Sequence, residues 1–318
     1  MIQGEVRECP HCLEPTMPNR LPDGSLVCSC PAMRPLAPSG KLNDPAQCEP
    51  GAAPMILNQA EIDAYAQDGA ILLRGAFRDW VEPLSAGISA LMDAPSPLER
   101  SYTPKDGSAK FFQDLCNWQR LPEFRAFVFE SPAARIAAQL MASPVARFFH
   151  DHVLVKEPGT SIVTPWHQDS PYYCVGGEQS VSFWIPLDPV GRETTLECVA
   201  GSHRWGVNHK PKRFDGTDLY EGDTATEMPD IEAHRADYRI LAWAMEAGDA
   251  VAFNFRTVHG APANTSPQHR RRVFSARWVG QDAVFIDRKG RGSPPMRHVT
   301  LADGAPLEGA DFPLVALR

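Results

Sequence analysis

The sequence predicts an α+β chain in which N-terminal helices pack on an antiparallel β sandwich or barrel. Two observations predict it. Between residues 55 and about 144 the apolar residues recur at helical spacing, and beyond that they alternate in short runs separated by Gly, Pro and Asn. Helical segments precede the strands instead of interleaving with them, which argues for an antiparallel sheet over a parallel one.

Residues 1–54 form a separate segment, rich in Pro, Cys and small residues and without hydrophobic periodicity, so they have little core to bury. The globular domain, residues 55–318, opens with "NQAEIDAYAQDG". Asn58 is placed to cap a helix, Glu61 is its capping-box partner, Ile62 with Tyr65 or Ala66 forms the apolar face, and Gly69 is the stop. The run "AILLRG" then reads as a short buried strand. "DWVEPLSAGISALMD" is a second helix, acidic at its start through Asp79 and Glu82 and apolar along Leu84, Ile88, Leu91 and Met92. A third helix begins at Ser131-Pro132, where proline loses no hydrogen bond. Among the strands, "SVSFWIPL" sets Val181, Phe183, Ile185 and Leu187 on one face and Ser182 and Trp184 on the other; "DAVAFNF" and "RVFSARWV" have the same character. The charged stretch from about Val207 to Asp237 carries few apolar residues and is long enough to form a lid.

A chain of 318 residues with 43% hydrophobic composition holds one large domain with a substantial core. Its formal charge of −8 argues against an electrostatic nucleic-acid binder, because phosphate binding needs a concentrated positive face, and favours a small-molecule partner. No apolar run reaches the about 18 residues of a membrane span, and no basic-then-apolar leader opens the chain, so a cytoplasmic protein without a membrane partner is expected. Gly-rich phosphate loops and a GxSxG elbow are missing, which leaves nucleotide and serine-hydrolase chemistry unsupported.

Five of the eight cysteines lie in the first 48 residues. Cys9, Cys12, Cys28 and Cys30, spaced CxxC-x15-CxC, could close a tetrahedral zinc site and give a coreless segment a reason to fold. The CxC half is tighter than a zinc knuckle, which leaves His11 and Cys48 as alternative ligands and a disordered leader as the competing reading. Cys116, Cys174 and Cys198 are expected to be buried packing residues.

The chemistry centres on "TPWHQDSPYY". In an extended segment residues i and i+2 project to the same side, so His167 and Asp169 can reach one metal ion together. Downstream, "EAGDAVAFNFRTVHGAPANTS" reads as a strand with His259 at its end, a third ligand. Two histidines and one carboxylate on one face of an octahedron leave three positions open, as non-heme iron(II) oxygenases require. The stretch His150-Asp151-His152 has the same histidine spacing, but in a strand its aspartate points away from both rings, so it supplies no such face.

The blocks "KEPGTSIVTPWHQDSPYY", "VSFWIPLD", "LECVAGSHRWG", "EAGDAVAFNF" and "VHGAPANTSPQHRRRVFSARWVG", in that order and within about residues 56–285, resemble the phytanoyl-CoA dioxygenase family of Fe(II)- and 2-oxoglutarate-dependent oxygenases. The resemblance implies a double-stranded β-helix (jelly-roll, cupin-like) core with the N-terminal helices packed on it, and iron held by His167, Asp169 and His259. It also implies an arginine beyond the second histidine that pairs with the distal carboxylate of 2-oxoglutarate; a guanidinium meets that demand with two parallel hydrogen bonds. The family interval from His259 favours Arg270, whereas the register counted back from Ser275 and Arg277 favours Arg271, which is preferred; Arg270 and Arg272 then share the opposite face. Lys156, Thr164 and Trp184 are further candidates for the cofactor or substrate pocket, Tyr172 and Tyr173 for the substrate wall, and Gly201-Ser202-His203 for a structural turn.

The implied reaction consumes O2 and 2-oxoglutarate, releases succinate and CO2, and hydroxylates an unactivated C–H bond of a small molecule. Asp169 stands where related halogenases carry a small residue, so hydroxylation or desaturation is expected over halogenation. Two other readings stay open: a catalytically silent scaffold of the same fold, and a metal-dependent cupin-type enzyme that does not use 2-oxoglutarate.

Overall fold

The computed structural model describes residues 56–212, 217–220, 222 and 224–317, together with the backbone of four short strands that precede them. Contacts divide the chain into two units, Met1–Ala53 and Pro54–Arg318. In the first unit β1 (Arg7–Glu8) pairs with β2 (Pro15–Thr16), and β3 (Asn19–Arg20) with β4 (Leu26–Val27), each antiparallel. Cys9, Cys12, Cys28 and Cys30, with His11 and Cys48, lie outside the described residues.

The second unit begins with the helix that its caps predict. In α1 (Gln59–Asp68) the Asn58 side chain accepts from the Glu61 N–H at 3.0 Å, and the Glu61 carboxylate accepts from the Asn58 N–H at 2.8 Å. Gly69 ends the helix at φ 75°, where an added Cβ would stand 2.3 Å from the His203 ring. The chain passes at once into β5 (Ala70–Leu73) and then α2 (Val81–Asp93), which buries Leu84, Ile88 and Leu91. Two helices follow β6 (Phe111–Leu115) where one was expected. The predicted one is α4 (Ala133–Leu140); the other, α3 (Pro122–Glu130), is nine residues long and buries Phe124, Phe127 and Val128, too brief a set to read as a periodic stripe.

The strands then assemble into two antiparallel sheets. They are β7 (Ala146–Lys156), β8 (Thr164–His167), β9 (Val175–Gly176), β10 (Ser180–Pro186), β11 (Glu197–Val199) and β12 (Ile240–Leu241), followed by β13 (Ala250–Phe253), β14 (His259–Ala261), β15 (Arg271–Val279), β16 (Val284–Phe285) and β17 (Leu314–Val315). The larger sheet has the order β17-β7-β15-β10-β13-β5, with β6 also on β7; the smaller has the order β12-β11-β14-β8, and β9 pairs with β16 apart from both. The class is α+β with a jelly-roll-type sandwich, as the sequence predicts.

Both faces of the larger sheet are covered. Val181, Phe183, Ile185 and Leu187 of the β10 region and Phe274 of β15 meet the helices. Phe274 packs 4.7 Å from Phe124 and 5.1 Å from Phe127, and each such buried ring stabilises the fold by roughly 1.5–3 kcal/mol relative to exposure. Trp184, Phe253 and Val273 occupy the opposite face, toward the smaller sheet. One boundary differs from expectation: His259 does not end the strand "DAVAFNF" but opens β14 in the other sheet. The intervening turn, with the Thr257 N–H on the Asn254 carbonyl at 2.9 Å, carries the chain from one sheet to the next.

Alternation along β7 behaves as predicted at His150-Asp151-His152. Asp151 points away from the two rings and accepts backbone N–H groups of Asn117 at 2.9 Å and Trp118 at 2.8 Å, although burial pushes its carboxyl up to about 6. Asp151→Asn preserves the shape but turns an amide donor toward those donors. Its urea unfolding should show a loss of about 1–3 kcal/mol, and an unchanged midpoint would contradict this role.

Candidate metal centre and its pocket

The smaller sheet brings the two predicted histidine ligands together by register: His167 on β8 lies directly across from His259 on β14, with ring centroids 4.2 Å apart. Each ring is oriented from behind by a backbone carbonyl. His167 Nδ1 lies 2.8 Å from the Pro165 oxygen and His259 Nδ1 lies 2.8 Å from the Thr257 oxygen. A proton on Nδ1 satisfies the carbonyl and leaves the Nε2 lone pair free, the arrangement that metal-bound histidines use.

Both Nε2 atoms face Asp169. Its Oδ1 is 3.7 Å from His167 Nε2 and 3.9 Å from His259 Nε2, and one ligand atom from each residue falls within 4.8 Å of the others. The turn after β8 is pinned by the Asp169 N–H on the Phe255 carbonyl at 2.8 Å. On its other oxygen Asp169 accepts from Ser182 Oγ at 3.2 Å, and the Arg277 guanidinium stands 3.8 Å away. Burial works to raise this carboxyl, but Arg277, the two histidines and Tyr173 hold it below the usual range; burial, and then His167, pull His259 down to about 3. A carboxylate with neutral imidazole nitrogens is a donor set that suits a divalent first-row metal such as iron and leaves one side open.

The same cavity, of about 320 Å³, holds a second feature. Arg271 of β15 is buried, its guanidinium 5.7 Å from the Trp184 ring and bonded to the Thr194 carbonyl, and it has no carboxylate partner among the described residues. Opposite it in register lies Lys156 of β7, whose Nζ donates to the Pro262 carbonyl at 2.9 Å. Burial, and then Arg271, lower Lys156 to about 6. A buried guanidinium without a counter-ion makes this end of the cavity a carboxylate site in waiting. Arg270 is turned outward and pairs with Glu157 at 2.8 Å, and Arg272 pairs with Asp188 at 2.6 Å. The strand therefore brings Arg271 into the cavity with Thr164, Lys156 and Trp184, and does not bring Arg270.

Tyr172 and Tyr173 line the cavity too, and Ser202 is a structural turn residue, its Oγ bridging the Val199 carbonyl and the Val258 N–H. Among the residues not anticipated as part of the site, Arg277 and Gln168 hold it most directly. Arg277 was read only as a register marker, yet it faces inward, two turns of the alternation past Val273, donates to Tyr173 Oη and stands behind Asp169. Gln168, between the two ligands, is 2% exposed and holds the start of the charged stretch: it donates to the Val207 and Arg256 carbonyls at 3.1 and 2.9 Å and accepts from the His209 N–H at 2.9 Å. That stretch does reach the site, with Lys210, Lys212, Leu219 and Met228 on the cavity wall and Tyr172 Oη donating to the Lys212 carbonyl at 2.7 Å.

Comparison with known proteins adds a family and a fold. The model of the phytanoyl-CoA dioxygenase family matches residues 65–273. Among solved structures, the non-heme alpha-ketoglutarate-dependent carbocyclase SnoK from nogalamycin biosynthesis is similar at 24% identity and a TM-score of 0.66, covering 82% of this chain and 97% of its own. The epimerase SnoN, solved with Fe3+, alpha-ketoglutarate and nogalamycin RO, gives 23% and 0.64 over 81% and 98%. EctD from S. alaskensis, solved with 2-oxoglutarate and 5-hydroxyectoine, gives 17% and 0.58 over 72% and 78%. These likenesses establish a shared fold.

The Gln168 anchor is tested by hydrogen exchange. Gln168→Ala strands a buried N–H and two carbonyls at a cost of about 1–3 kcal/mol, so amides over residues 207–212 should exchange faster while those of β15 do not change. Equal protection of residues 207–212 in both proteins would remove the anchor.

Proposed function

The chain belongs to the phytanoyl-CoA dioxygenase family, and from that premise we propose that it is an Fe(II)- and 2-oxoglutarate-dependent oxygenase that hydroxylates an unactivated C–H bond of a small molecule. The observation that carries the reading is the pairing, within one cavity, of the His167–Asp169–His259 cluster with a buried, unpaired Arg271. Neither half alone would support it: the cluster fits many divalent metals, and an isolated arginine fits many anions.

In this reading His167, Asp169 and His259 hold the iron, and Arg271, with Lys156 beside it, takes the distal carboxylate of 2-oxoglutarate. When bound, iron and 2-oxoglutarate supply the oxidising power, drawing on O2 and releasing succinate and CO2. The protein's part is position. Ser182 and Arg277 fix the Asp169 carboxylate, the Pro165 and Thr257 carbonyls fix the imidazole tautomers, and Trp184 walls the cofactor channel. The segment anchored by Gln168 covers the cavity and keeps water from it. The silent-scaffold reading has no observation in its favour, since the ligand set and the guanidinium are both in place.

For residues 1–54 the proposal is separate: Cys9, Cys12, Cys28 and Cys30 hold one zinc ion. Elemental analysis should find about one zinc per chain, lost in Cys12→Ser, while the His167 site still takes iron. Zinc at background in the wild type would end that proposal.

Turnover tests the main reading. Iron-loaded protein should convert 2-oxoglutarate to succinate, and Asp169→Gly should abolish it. Arg271→Ala should raise the KM for 2-oxoglutarate about 100-fold or more, the effect of stranding a buried carboxylate, whereas Arg270→Ala should change it less than about two-fold. Equal effects of the two arginine variants would contradict the assignment. Product analysis by mass spectrometry separates hydroxylation, a gain of one oxygen, from desaturation or rearrangement.

A further inference from the structure

We infer that the cavity wall formed by Gln113, His150, His152 and Ser275 is a substrate subsite that takes a neutral, oxygen-bearing head group, a hydroxyl or a carbonyl, on an apolar molecule, and that discriminates against cations. The inference rests on the proposed function and adds to it a substrate class.

Three neighbouring strands build the wall. In register, Leu115 of β6, His152 of β7 and Ser275 of β15 lie side by side; the next inward row is Gln113, Leu154 and Val273, and the one after it carries Lys156 and Arg271. His150 lies across from Arg277 at the far end. The face thus runs from Arg271 and Lys156 at one end, past Leu154 and Val273, to a polar end formed by His152, Ser275 and His150, with Gln113 joining it from the edge of the middle row. Ser275 lies four residues along β15 from Arg271, about 13 Å at strand rise, which is too far for one five-carbon diacid to occupy both ends.

The polar end is unsatisfied. Gln113 Nε2, Ser275 Oγ, His152 Nε2 and both ring nitrogens of His150 are buried and have no hydrogen-bond partner. Gln113, His150 and Ser275 are each at most 2% exposed, and all four side chains line the cavity that holds the metal cluster. Buried polar atoms are almost always paired, so four such side chains converging on one cavity mark a place where something else completes them.

Charge narrows what that is. Burial, and then Arg277, hold both His150 and His152 well below the usual histidine range, so each offers one donor and one acceptor. Arg277 is committed to Tyr173 and the Ser275 carbonyl, and Asp169 to the metal cluster. The nearby acids face elsewhere: Asp114 bonds Ser96 and Asn117, and Asp151 bonds backbone N–H groups. A cation placed here would meet the Arg277 guanidinium and no free carboxylate, whereas a hydroxyl or carbonyl would meet complementary donors and acceptors. Leu115, Leu154, Leu219 and Met228 supply the apolar surface for the rest of the molecule.

The test uses three probes of one shape: benzyl alcohol, benzylammonium and ethylbenzene. Protein loaded with Mn(II) and 2-oxoglutarate broadens the proton resonances of any probe bound near the metal, and calorimetry on the same sample reports 2-oxoglutarate binding. Benzyl alcohol should be broadened at least about five-fold more than either of the others, the selectivity expected of one or two well-formed hydrogen bonds. Ser275→Ala and Gln113→Leu, both close to isosteric, should each reduce that excess about two-fold or more with 2-oxoglutarate binding retained. Equal broadening of the three probes, or a preference that survives both variants, would mean that these atoms serve ordered water only and would overturn the subsite while leaving the proposed function standing. Loss of 2-oxoglutarate binding in the wild type would instead overturn the proposed function, and the subsite with it.

Discussion

All nine residues of β15 pair with β7 on one side, and seven of them pair with β10 on the other, and the contents of the cavity follow from that double register. Once both edges are fixed, the strand cannot slip by one residue without sending Phe274 from the helix-packed core into the cavity and Arg271 out of it. The side chains of Arg271, Val273, Ser275 and Arg277 then line the cavity at regular spacing. The smaller sheet adds one crossing point, His167 opposite His259, and the site is complete when the two sheets close on each other.

The electrostatics of the cavity are those of a place built for two guests. Arg271 and Arg277 are both buried, at opposite ends of one strand face, and only Arg277 has an acid near it, at 3.8 Å. Lys156 stands beside Arg271 and is lowered to about 6 by burial and by that neighbour. Under the proposed function a dicarboxylate offsets the positive charge of Arg271 at one end, and a divalent ion offsets the Asp169 carboxylate in the middle. Each guest thereby lowers the cost of the other, since a carboxylate near the metal and a cation near Asp169 relieve the same field. Val207 and His209, which lead into Lys210 and Lys212 on the cavity wall, are tied through Gln168 to the turn between His167 and Asp169.

Much of this was legible from the sequence because it follows from local rules. The capping box at Asn58 and Glu61, the outward turn of Asp151 and the inward orientation of Arg271, with Arg270 and Arg272 outside the cavity, follow from local spacing and fixed periods of 3.6 or 2. What was not legible depends on partners distant in the chain. Helix α3 is too short to announce itself and exists because Phe124 and Phe127 find Phe274, about 150 residues away in sequence. The break between β13 and β14 needs a second sheet to receive His259. Gln168 reads as an ordinary residue between two ligands until Val207 and His209 come to meet it. Arg277 showed its inward orientation but not its duty, because the turn that carries Asp169 to it is tertiary.

The central claim is that one cavity holds metal and 2-oxoglutarate together, on His167, Asp169, His259 and Arg271. Anaerobic titration of metal-free protein with Fe(II) and 2-oxoglutarate, followed by visible absorption, tests it most directly, because the chelate absorbs only when both ligands share the same ion. A visible charge-transfer band that saturates at one iron per chain, and is absent in His167→Ala, is the predicted result. No band in the wild-type protein, or one that persists undiminished in His167→Ala, would contradict it.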